Sequence, residues 1–432
     1  MKINEKGIYT VIFLTALFLR LIFLLNHDRA LGGDEVAYNQ LASALLNEHR
    51  FSADEEYSHP PAYPFFISIA YFIFGQSARA VRIIQALLDS GLCVLIYWLS
   101  NKLFNRRTAL IAALFSASYL LFIKAASCLL TESVFTFVLF LMIIYIWKSK
   151  ERFSYFNAAI LGLLITVLVL IKGIMLLFLP FLLIAAAVTR YYRFINFADF
   201  AKRTALMIAV FILTMSVWVY RNYRVYNAFV PVSTQTGWAF YDSYFPRDGK
   251  IFGVNAFDDN VRYGLSLKSQ TKMSNYLAKK AVEFIKKNPL KVLRLEFLKI
   301  LYFWCPFDWE LMGKEKGIYN FQYVFMLPFS MLGVILLMKN LNKYVVLYVP
   351  VVYLFLMSLL FYGSPRFRMP VEPYLIIFFA VGVVRFFRLF KYIYIPAGAT
   401  LLYALINFKI YLNSDTVKEC IRGCLISVGL WC

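Results

Sequence analysis

Charged residues are scarce in this sequence. They make up 16% of its 432 residues, whereas hydrophobic residues make up 61%. A soluble domain of this size and composition would expose large apolar patches to water. The composition therefore predicts a protein that is surrounded largely by lipid.

The sequence also lacks features that mark several other classes of protein. Its six cysteines are scattered and have no histidine near them, which argues against a zinc site. We find no internal repeat of the kind that inverted-repeat transporters carry, and no low-complexity tract. No small-residue cleavage site follows the first apolar stretch, so we expect it to be retained as a helix rather than removed as a signal peptide.

Apolar stretches that are long enough to cross a bilayer as helices recur along the chain. They lie at residues 8–25, 80–100, 108–127, 131–148, 156–170, 173–190, 204–220, 318–338, 344–362, 371–389 and 392–412. We therefore predict an all-α polytopic membrane protein with about eleven transmembrane helices.

Lysine and arginine give the chain a formal net charge of +21 and cluster in alternate links between these stretches. The positive-inside rule then predicts a cytoplasmic N-terminus in a multi-pass protein of the cell's inner membrane. The alternation holds only if residues 62–74 do not cross, so we predict an interfacial or re-entrant helix there. Topology signals and contacts with anionic headgroups account for most of the basic charge without a nucleic-acid partner.

This topology leaves two long polar segments on the outer face and divides the chain into three regions. Residues 1–220 form an N-terminal transmembrane module with an outer loop at 27–75, residues 221–319 form an outer-face loop, and residues 320–432 form C-terminal transmembrane helices with a short tail. Interfacial amphipathic helices are expected at Glu35–His49 and around Lys279–Lys299. Function is expected on the outer face, because most of the polar chain lies there.

Three acidic residues on this face are candidates for chemistry. Asp34 and Glu35 follow two glycines just after the first helix, where a carboxylate would suit a general base. Residue type alone favours a simpler reading of this pair as solvated loop acids. Glu132 interrupts apolar runs at a tight turn near membrane depth, where an ionisable group is costly and is a functional candidate, although a capping role would also explain it.

Four cations recur on the same face. Lys172 lies between two apolar runs, Arg221 closes the seventh stretch, and Arg366 and Arg368 lie together before a proline. The positive-inside rule disfavours arginine here, so these residues need an anionic partner. A phosphate group would supply it, although harmless snorkelling is the alternative for Lys172.

Aromatic residues and a stiff backbone adjoin these groups. His59 and Tyr63 lie in the proline-rich segment 58–64, and Tyr38 lies in the first outer helix. All three are candidate substrate contacts, and a structural role explains His59 equally well. The sequence shows no clear metal-ligand cluster, so no metal site is predicted, and a divalent cation is kept as an open alternative.

Acids and cations on one face suit a transfer reaction. A carboxylate would deprotonate an acceptor hydroxyl or phosphate group while cations stabilise the charge that gathers on a departing lipid phosphate. The expected partners are a donor linked to a lipid phosphate, membrane lipid, and a glycan, lipid or protein acceptor. Two alternatives are a transporter or flippase of lipid-linked sugars, which the missing repeat disfavours, and a noncatalytic membrane scaffold.

At these residues the sequence resembles the lipid-phosphate-sugar-dependent class C (GT-C) glycosyltransferases, the superfamily of protein O-mannosyltransferases and aminoarabinose transferase. The shared elements are Asp34-Glu35 with Tyr38, His59-Pro60-Pro61, Gly75 with Arg79 and Arg82, Thr131-Glu132, Lys172-Gly173, and the run from Arg366 to Pro370. The resemblance implies a GT-C fold whose N-terminal module is catalytic. It also implies that Asp34 is the base and that transfer from a polyprenyl-phosphate sugar inverts the anomeric carbon.

Overall fold

A computed structural model describes residues 5–27, 29–51, 58–189, 191–192, 195–245, 258–308, 318–361 and 363–389 of the chain. Its α-helices are α1 (Glu5–Asn26), α2 (Asp34–Glu48), α3 (Ala62–Phe74), α4 (Ala78–Leu103), α5 (Arg106–Ser118), α6 (Leu120–Ala126), α7 (Glu132–Ser149), α8 (Tyr155–Ile171), α9 (Phe178–Val188), α10 (Phe197–Tyr226), α11 (Gln235–Asp242), α12 (Asp259–Ser266), α13 (Gln270–Lys287), α14 (Pro289–Phe303), α15 (Phe321–Met338), α16 (Leu341–Leu360), α17 (Pro365–Arg368) and α18 (Glu372–Leu389). Short 3-10 helices lie at Gly173–Leu177 and Met369–Val371. Strands β1 (Phe307–Asp308) and β2 (Ile318–Tyr319) form a two-residue antiparallel pair.

Seven helical segments of the described chain are long and apolar enough to cross a membrane: α1, α4, α7, α10, α15, α16 and the segment from α17 into α18. The bent pair α5–α6 gives an eighth. Helix α8, and α9 with the 3-10 helix before it, are shorter apolar helices at two further predicted spans. The predicted span at 392–412 lies outside the described residues. The all-helical, multi-span prediction is confirmed.

The predicted span at 108–127 is broken in the structure. Helices α5 and α6 meet at Tyr119 with a bend of 49°. The side chain of Gln322 accepts a hydrogen bond from the Leu120 amide (2.7 Å) and donates one to the Ser118 carbonyl (2.9 Å). These two bonds replace helical hydrogen bonds that the break removes, because polar backbone in an apolar bundle needs partners.

Glycines allow the closest helix contacts in the bundle. A Cβ atom at Gly333 of α15 would lie 2.0 Å from the Phe378 carbonyl oxygen of α18, and one at Gly382 would lie 2.0 Å from the Phe329 carbonyl oxygen. Small residues let two helical backbones approach in this way inside a membrane. Helix α15 therefore packs directly on α18, whose residues through Val381 are largely buried.

The two ends of the bundle differ in chemistry. At one end, which we call the basic end, Lys150 donates to the Asn342 carbonyl (3.3 Å) and Arg203 donates to the Phe153 carbonyl. These contacts bring together links that the sequence predicts to be cytoplasmic. At the opposite end, which we call the cavity end, lie the starts of α2, α4 and α7 and the ends of α8, α10 and α16.

The predicted helix around Lys279–Lys299 is two helices in the structure. Helix α13 ends at Lys287, and α14 begins at Pro289 after Asn288. Proline lacks an N–H group and fits the first position of a helix, which explains the break. Helix α2 agrees closely with the helix predicted at Glu35–His49.

Candidate active site

Four charged side chains meet at the cavity end. Arg366 forms ion pairs with Asp34 (Nη1 to Oδ2, 2.9 Å) and with Glu132 (Nε to Oε1, 2.9 Å). Lys172 forms an ion pair with the same Glu132 oxygen (2.9 Å). The group contains two carboxylates and two cations, so its charges balance without any ligand.

Local backbone structure positions Asp34. It is the first residue of α2, and it follows Gly33, whose φ of 55° and ψ of −131° suit glycine rather than other residues. A carboxylate at a helix N-terminus is stabilised by the partial positive charge of the exposed amides. The Asp34 side chain is 37% exposed, which makes it the most accessible member of the group.

The other three members are held more tightly. Glu132 is the first residue of α7 and is fully buried; its Oε2 atom has no hydrogen-bond partner within the described ranges. Lys172 caps the C-terminus of α8, and its ammonium group lies over the rings of Phe135 (5.4 Å) and Phe367 (5.2 Å). Arg366 lies in α17, a helix of a single turn. Ser364 caps the start of this helix, because its hydroxyl accepts a hydrogen bond from the Arg366 amide.

A cavity of about 600 Å³ opens beside this group. Asp34, Lys172 and Arg366 all line it, together with Tyr38 and Thr131. Apolar residues of the lining, which we call the apolar wall, include Ile171, Ile174, Leu176, Leu177, Met357, Phe361 and Phe367. Polar, uncharged residues of the lining, which we call the polar wall, include Ser233, Thr234, Gln235, Thr236, Thr271, Ser274 and Asn275.

Hydrogen bonds join the polar wall to the first polar segment. The Ser58 amide donates to the Thr234 hydroxyl (2.8 Å), and the Thr234 amide donates to the Ser58 hydroxyl (3.0 Å). The Thr234 hydroxyl also donates to Gln270 (3.1 Å). We call this arrangement the Ser58–Thr234 clasp; it connects the two polar segments that the sequence predicts on the same face.

Glu35 lies outside the cavity lining and has its own partners. It is buried, accepts a hydrogen bond from the Leu129 amide (2.7 Å), and forms an ion pair with Arg29 (2.7 Å). Arg29 also donates to the Cys128 sulfur (3.1 Å). Burial raises the pKa of the Cys128 thiol to about 11. Glu35 therefore ties the start of α2 to the turn between α6 and α7.

Tyr38, His59 and Tyr63 form an aromatic cluster next to the group. The Tyr38 ring packs against His59 and against Tyr63, each with a centroid distance of 5.0 Å. Only Tyr38 of the three lines the cavity. The Tyr63 hydroxyl donates to Gln85 (2.6 Å), and Gln85 donates to the Cys128 carbonyl (2.7 Å).

Arg221 and Arg368 lie outside the cavity lining. Arg221 donates to the Phe51 carbonyl and stacks near Trp218, with 5.0 Å between the guanidinium carbon and the ring centroid. Arg368 is buried, forms an ion pair with Glu372 (2.7 Å) and donates to the Cys305 carbonyl (2.9 Å). Both arginines bind main-chain carbonyls and so connect elements of the protein to each other.

The sequence analysis missed several polar residues that shape this region. Gln85 and Asp89 are buried in α4, and Asp89 accepts a hydrogen bond from Ser133 (3.1 Å), the neighbour of Glu132. Arg20 is buried in α1 and donates to the Ala117 carbonyl (3.2 Å). A polar residue inside an apolar stretch is a detectable signal, because such residues face the bundle interior rather than lipid.

No group of three or more His, Cys, Asp and Glu side chains with the arrangement of a metal site occurs in the part of the chain that the structure describes. Asp34 and Glu132, the two carboxylates of the charged group, are paired with cations instead. These residues suit an anionic ligand better than a bound cation. A phosphate group can compete with the two carboxylates for Arg366 and Lys172 directly.

Comparisons with known proteins find similarities to this chain in sequence and in fold. Residues 58–220 match the family model for dolichyl-phosphate-mannose-protein mannosyltransferase. This match includes Glu132 and Lys172. No curated protein sequence matches the chain.

Solved structures with a similar fold include an oligosaccharyltransferase from the archaeon Archaeoglobus fulgidus. AglB from this organism, in complex with an inhibitory peptide and a dolichol-phosphate, is 14% identical with a TM-score of 0.54, and the match covers 96% of this chain and 56% of AglB. The A. fulgidus oligosaccharyltransferase tethered to an acceptor peptide is 15% identical with a TM-score of 0.54. This match covers 93% of the present chain and 53% of the oligosaccharyltransferase. The chain thus spans about half the length of these proteins.

ArnT from Cupriavidus metallidurans bound to undecaprenyl phosphate also matches, at 13% identity and a TM-score of 0.45, over 88% of this chain and 78% of ArnT. The helical architecture, the oligosaccharyltransferase match and the family-model match are consistent with one another. The chain is a polytopic membrane protein with the fold of the class C glycosyltransferases.

Proposed function

We propose that this protein is a glycosyltransferase that moves a sugar from a polyprenyl-phosphate donor to an acceptor at the cavity end. The observation that carries the proposal is the presence of Asp34, Lys172 and Arg366 on the lining of one cavity. A base and two phosphate-binding cations are the groups that such a transfer needs.

Lys172 and Arg366 are the proposed donor-phosphate ligands. Both line the cavity, and both share Glu132, which holds their side chains in position through two 2.9 Å contacts. The Arg366 guanidinium can bind phosphate oxygens in a bidentate manner, while Lys172 contributes a compact charge. We assign Glu132 and Glu35 to positioning, since neither lines the cavity.

The donor lipid would lie against the apolar wall. Leu176, Leu177 and Phe361 on that wall offer a surface for a prenyl chain that enters from the bilayer. The similar AglB structure contains a dolichol-phosphate, which supports a donor of this class.

Transfer would proceed by a single displacement at the anomeric carbon. Asp34 takes the proton of the acceptor hydroxyl as the acceptor oxygen bonds to this carbon. The bond from the carbon to the phosphate oxygen breaks, and its electron pair leaves with the phosphate. One negative charge thereby moves from Asp34 to a phosphate group held by Lys172 and Arg366, so the total charge of the site stays constant. Attack opposite the leaving group inverts the anomeric carbon.

The acceptor and the sugar would contact the uncharged polar wall. Thr236, Ser274 and Asn275 carry hydroxyl and amide groups that suit sugar hydroxyls or a peptide backbone. We place this end on the outer face of the inner membrane, because the opposite end carries the basic links.

The test uses purified protein, a panel of radiolabelled polyprenyl-phosphate sugars and native membrane extract. We expect label to move to an acceptor and free polyprenyl phosphate to appear with the unaltered protein, and no transfer with Asp34→Asn. The matched control is Glu48→Gln, which removes an exposed acid from the other end of the same helix and should retain activity. No turnover, with donor carried across liposome bilayers instead, would overturn the enzyme proposal in favour of a transporter.

A further inference from the structure

Helix α14 has a second apolar face that the described protein does not cover. Its covered side contains Leu295, Lys299 and Phe303, which are buried at four-residue spacing. With 3.6 residues per turn, the uncovered apolar residues fall on the opposite side. These residues are Leu290 (76% exposed), Leu293 (66%), Phe297 (60%) and Leu301 (52%).

The buried side fixes α14 to the end of the bundle. The Lys299 ammonium group donates to the Leu359 carbonyl at the end of α16 (2.6 Å) and lies 4.1 Å from the centroid of the Tyr244 ring. A Cβ atom at Gly363 would lie 2.4 Å from the Lys299 carbonyl oxygen, so the chain before α17 passes directly over the helix. Because α14 is held on this side, it cannot rotate to bury its leucines elsewhere.

Basic side chains accompany the uncovered face. Helices α13 and α14 contain eight basic and two acidic residues, a net charge of +6. The two acids, Glu283 and Glu296, form ion pairs with Lys280 and Lys299. The exposed cations at the end of α13 and on α14 are Lys286, Lys287, Lys291 and Arg294.

We infer that α14 and the end of α13 dock onto the leaflet at the cavity end and bind its anionic phospholipid headgroups. Apolar side chains flanked by lysine and arginine are the pattern that inserts at the boundary between headgroups and acyl chains, and anionic lipid adds an attraction for each cation. The inference depends on the membrane fold and not on the proposed activity. It also bears on the cavity, because Thr271, Ser274 and Asn275 on the polar wall belong to the docked helix α13.

Site-specific photo-crosslinking tests this inference. Phe297→p-benzoylphenylalanine places a crosslinker on the uncovered face, and the protein is irradiated in nanodiscs of equal amounts of phosphatidylglycerol and phosphatidylcholine. Mass spectrometry then identifies the lipid attached to the peptide. We expect lipid adducts at this position, with phosphatidylglycerol in roughly threefold excess or more. Replacing Lys286, Lys287, Lys291 and Arg294 with glutamine should bring the ratio to about one.

Two further positions serve as controls. The same crosslinker at Val217, which is 73% exposed on the membrane helix α10, should give lipid adducts without headgroup preference. At Tyr263, which is 53% exposed on the polar helix α12, it should give few lipid adducts. Absence of lipid adducts at position 297 while position 217 reacts would overturn the docking. Equal amounts of the two lipids at position 297, or an excess that survives the glutamine substitutions, would overturn headgroup binding by these cations. Neither result depends on sugar transfer.

Discussion

Arg366 binds two carboxylates at once, and a donor phosphate would compete for the same guanidinium group. Its contact with Asp34 has a length of 2.9 Å and involves a carboxylate that is partly exposed, whereas its contact with Glu132 is buried. The exposed contact is the one that an incoming phosphate would replace. In the proposed mechanism, donor binding thus releases Asp34 for the acceptor hydroxyl.

Comparison of two arginines tests this role. We expect Arg366→Gln to lower the initial rate of transfer by about 100-fold or more, because it removes a cation that stabilises the departing phosphate. Arg221→Gln should lower it by less than about 3-fold, since Arg221 lies outside the cavity lining. Rates with purified variants and a polyprenyl-phosphate donor provide the measurement, and equal losses for the two variants would contradict the assignment.

The structure brings together only some of the charged residues that the sequence analysis selected as candidates. Glu132, Lys172 and Arg366 were identified because ionisable groups at the border of apolar stretches are costly, and the structure brings all three together. The same argument selected Arg221 and Arg368, which lie outside the cavity lining and contact main-chain carbonyls. The apolar pattern indicates how deep a side chain lies but not the direction in which it points, because direction depends on packing between distant helices.

At the scale of elements, the start of α2 determines where Asp34 points. Gly33 has a positive φ, and the Glu35 side chain accepts a hydrogen bond from the Gly32 amide (3.3 Å) and one from the Leu129 amide. The helix start is therefore held both by its own backbone and by the turn before α7.

Substitution of the two neighbouring glycines tests this point. A Cβ atom would meet no other atom within 4 Å at either position, so space is not limiting, but only Gly33 has a positive φ. We expect Gly33→Ala to cost about 2 kcal/mol of stability and to reduce transfer strongly. Gly32→Ala should change stability by less than about 0.5 kcal/mol. Thermal unfolding in detergent and transfer rates measure both effects, and equal behaviour of the two variants would show that backbone strain at Gly33 is unimportant.

The positions of the membrane helices were predictable from the sequence, whereas their interruptions were not. Apolar length alone identified α1, α4, α7, α10, α15 and α16. The bend at Tyr119 depends on Gln322, about 200 residues away in the chain, and no local pattern reveals that partner. The break before Pro289 is the exception, since proline at a first helical position is a local signal that the sequence analysis did not use.

At the scale of the whole molecule, polar chemistry is separated between the two ends of the bundle. Lys150 and Arg203 lie at the basic end, while the ion-paired group, the cavity and the Ser58–Thr234 clasp lie at the other end. This separation agrees with the alternation of basic links in the sequence.

Cysteine labelling tests the proposed orientation. We expect Tyr263→Cys on α12 to react with a membrane-impermeant maleimide in intact cells, because its helix belongs to the polar segment at the cavity end. Lys343→Cys at the basic end should react only after permeabilisation. Mass spectrometry of the labelled peptides distinguishes these sites from native cysteines. The reverse pattern would place the active site on the cytoplasmic side.

The Ser58–Thr234 clasp has a consequence for the route by which molecules enter and leave. It joins chain segments 176 residues apart through two reciprocal hydrogen bonds, and Thr234 also lines the cavity, so the two polar segments are tied together at its edge. In the proposed mechanism, the spent lipid would depart sideways, along the apolar wall into the bilayer. With a lateral exit, the lipid chain would remain in the hydrocarbon of the bilayer from donor binding to product release. The rate of sugar transfer would then depend on the fluidity of the surrounding membrane.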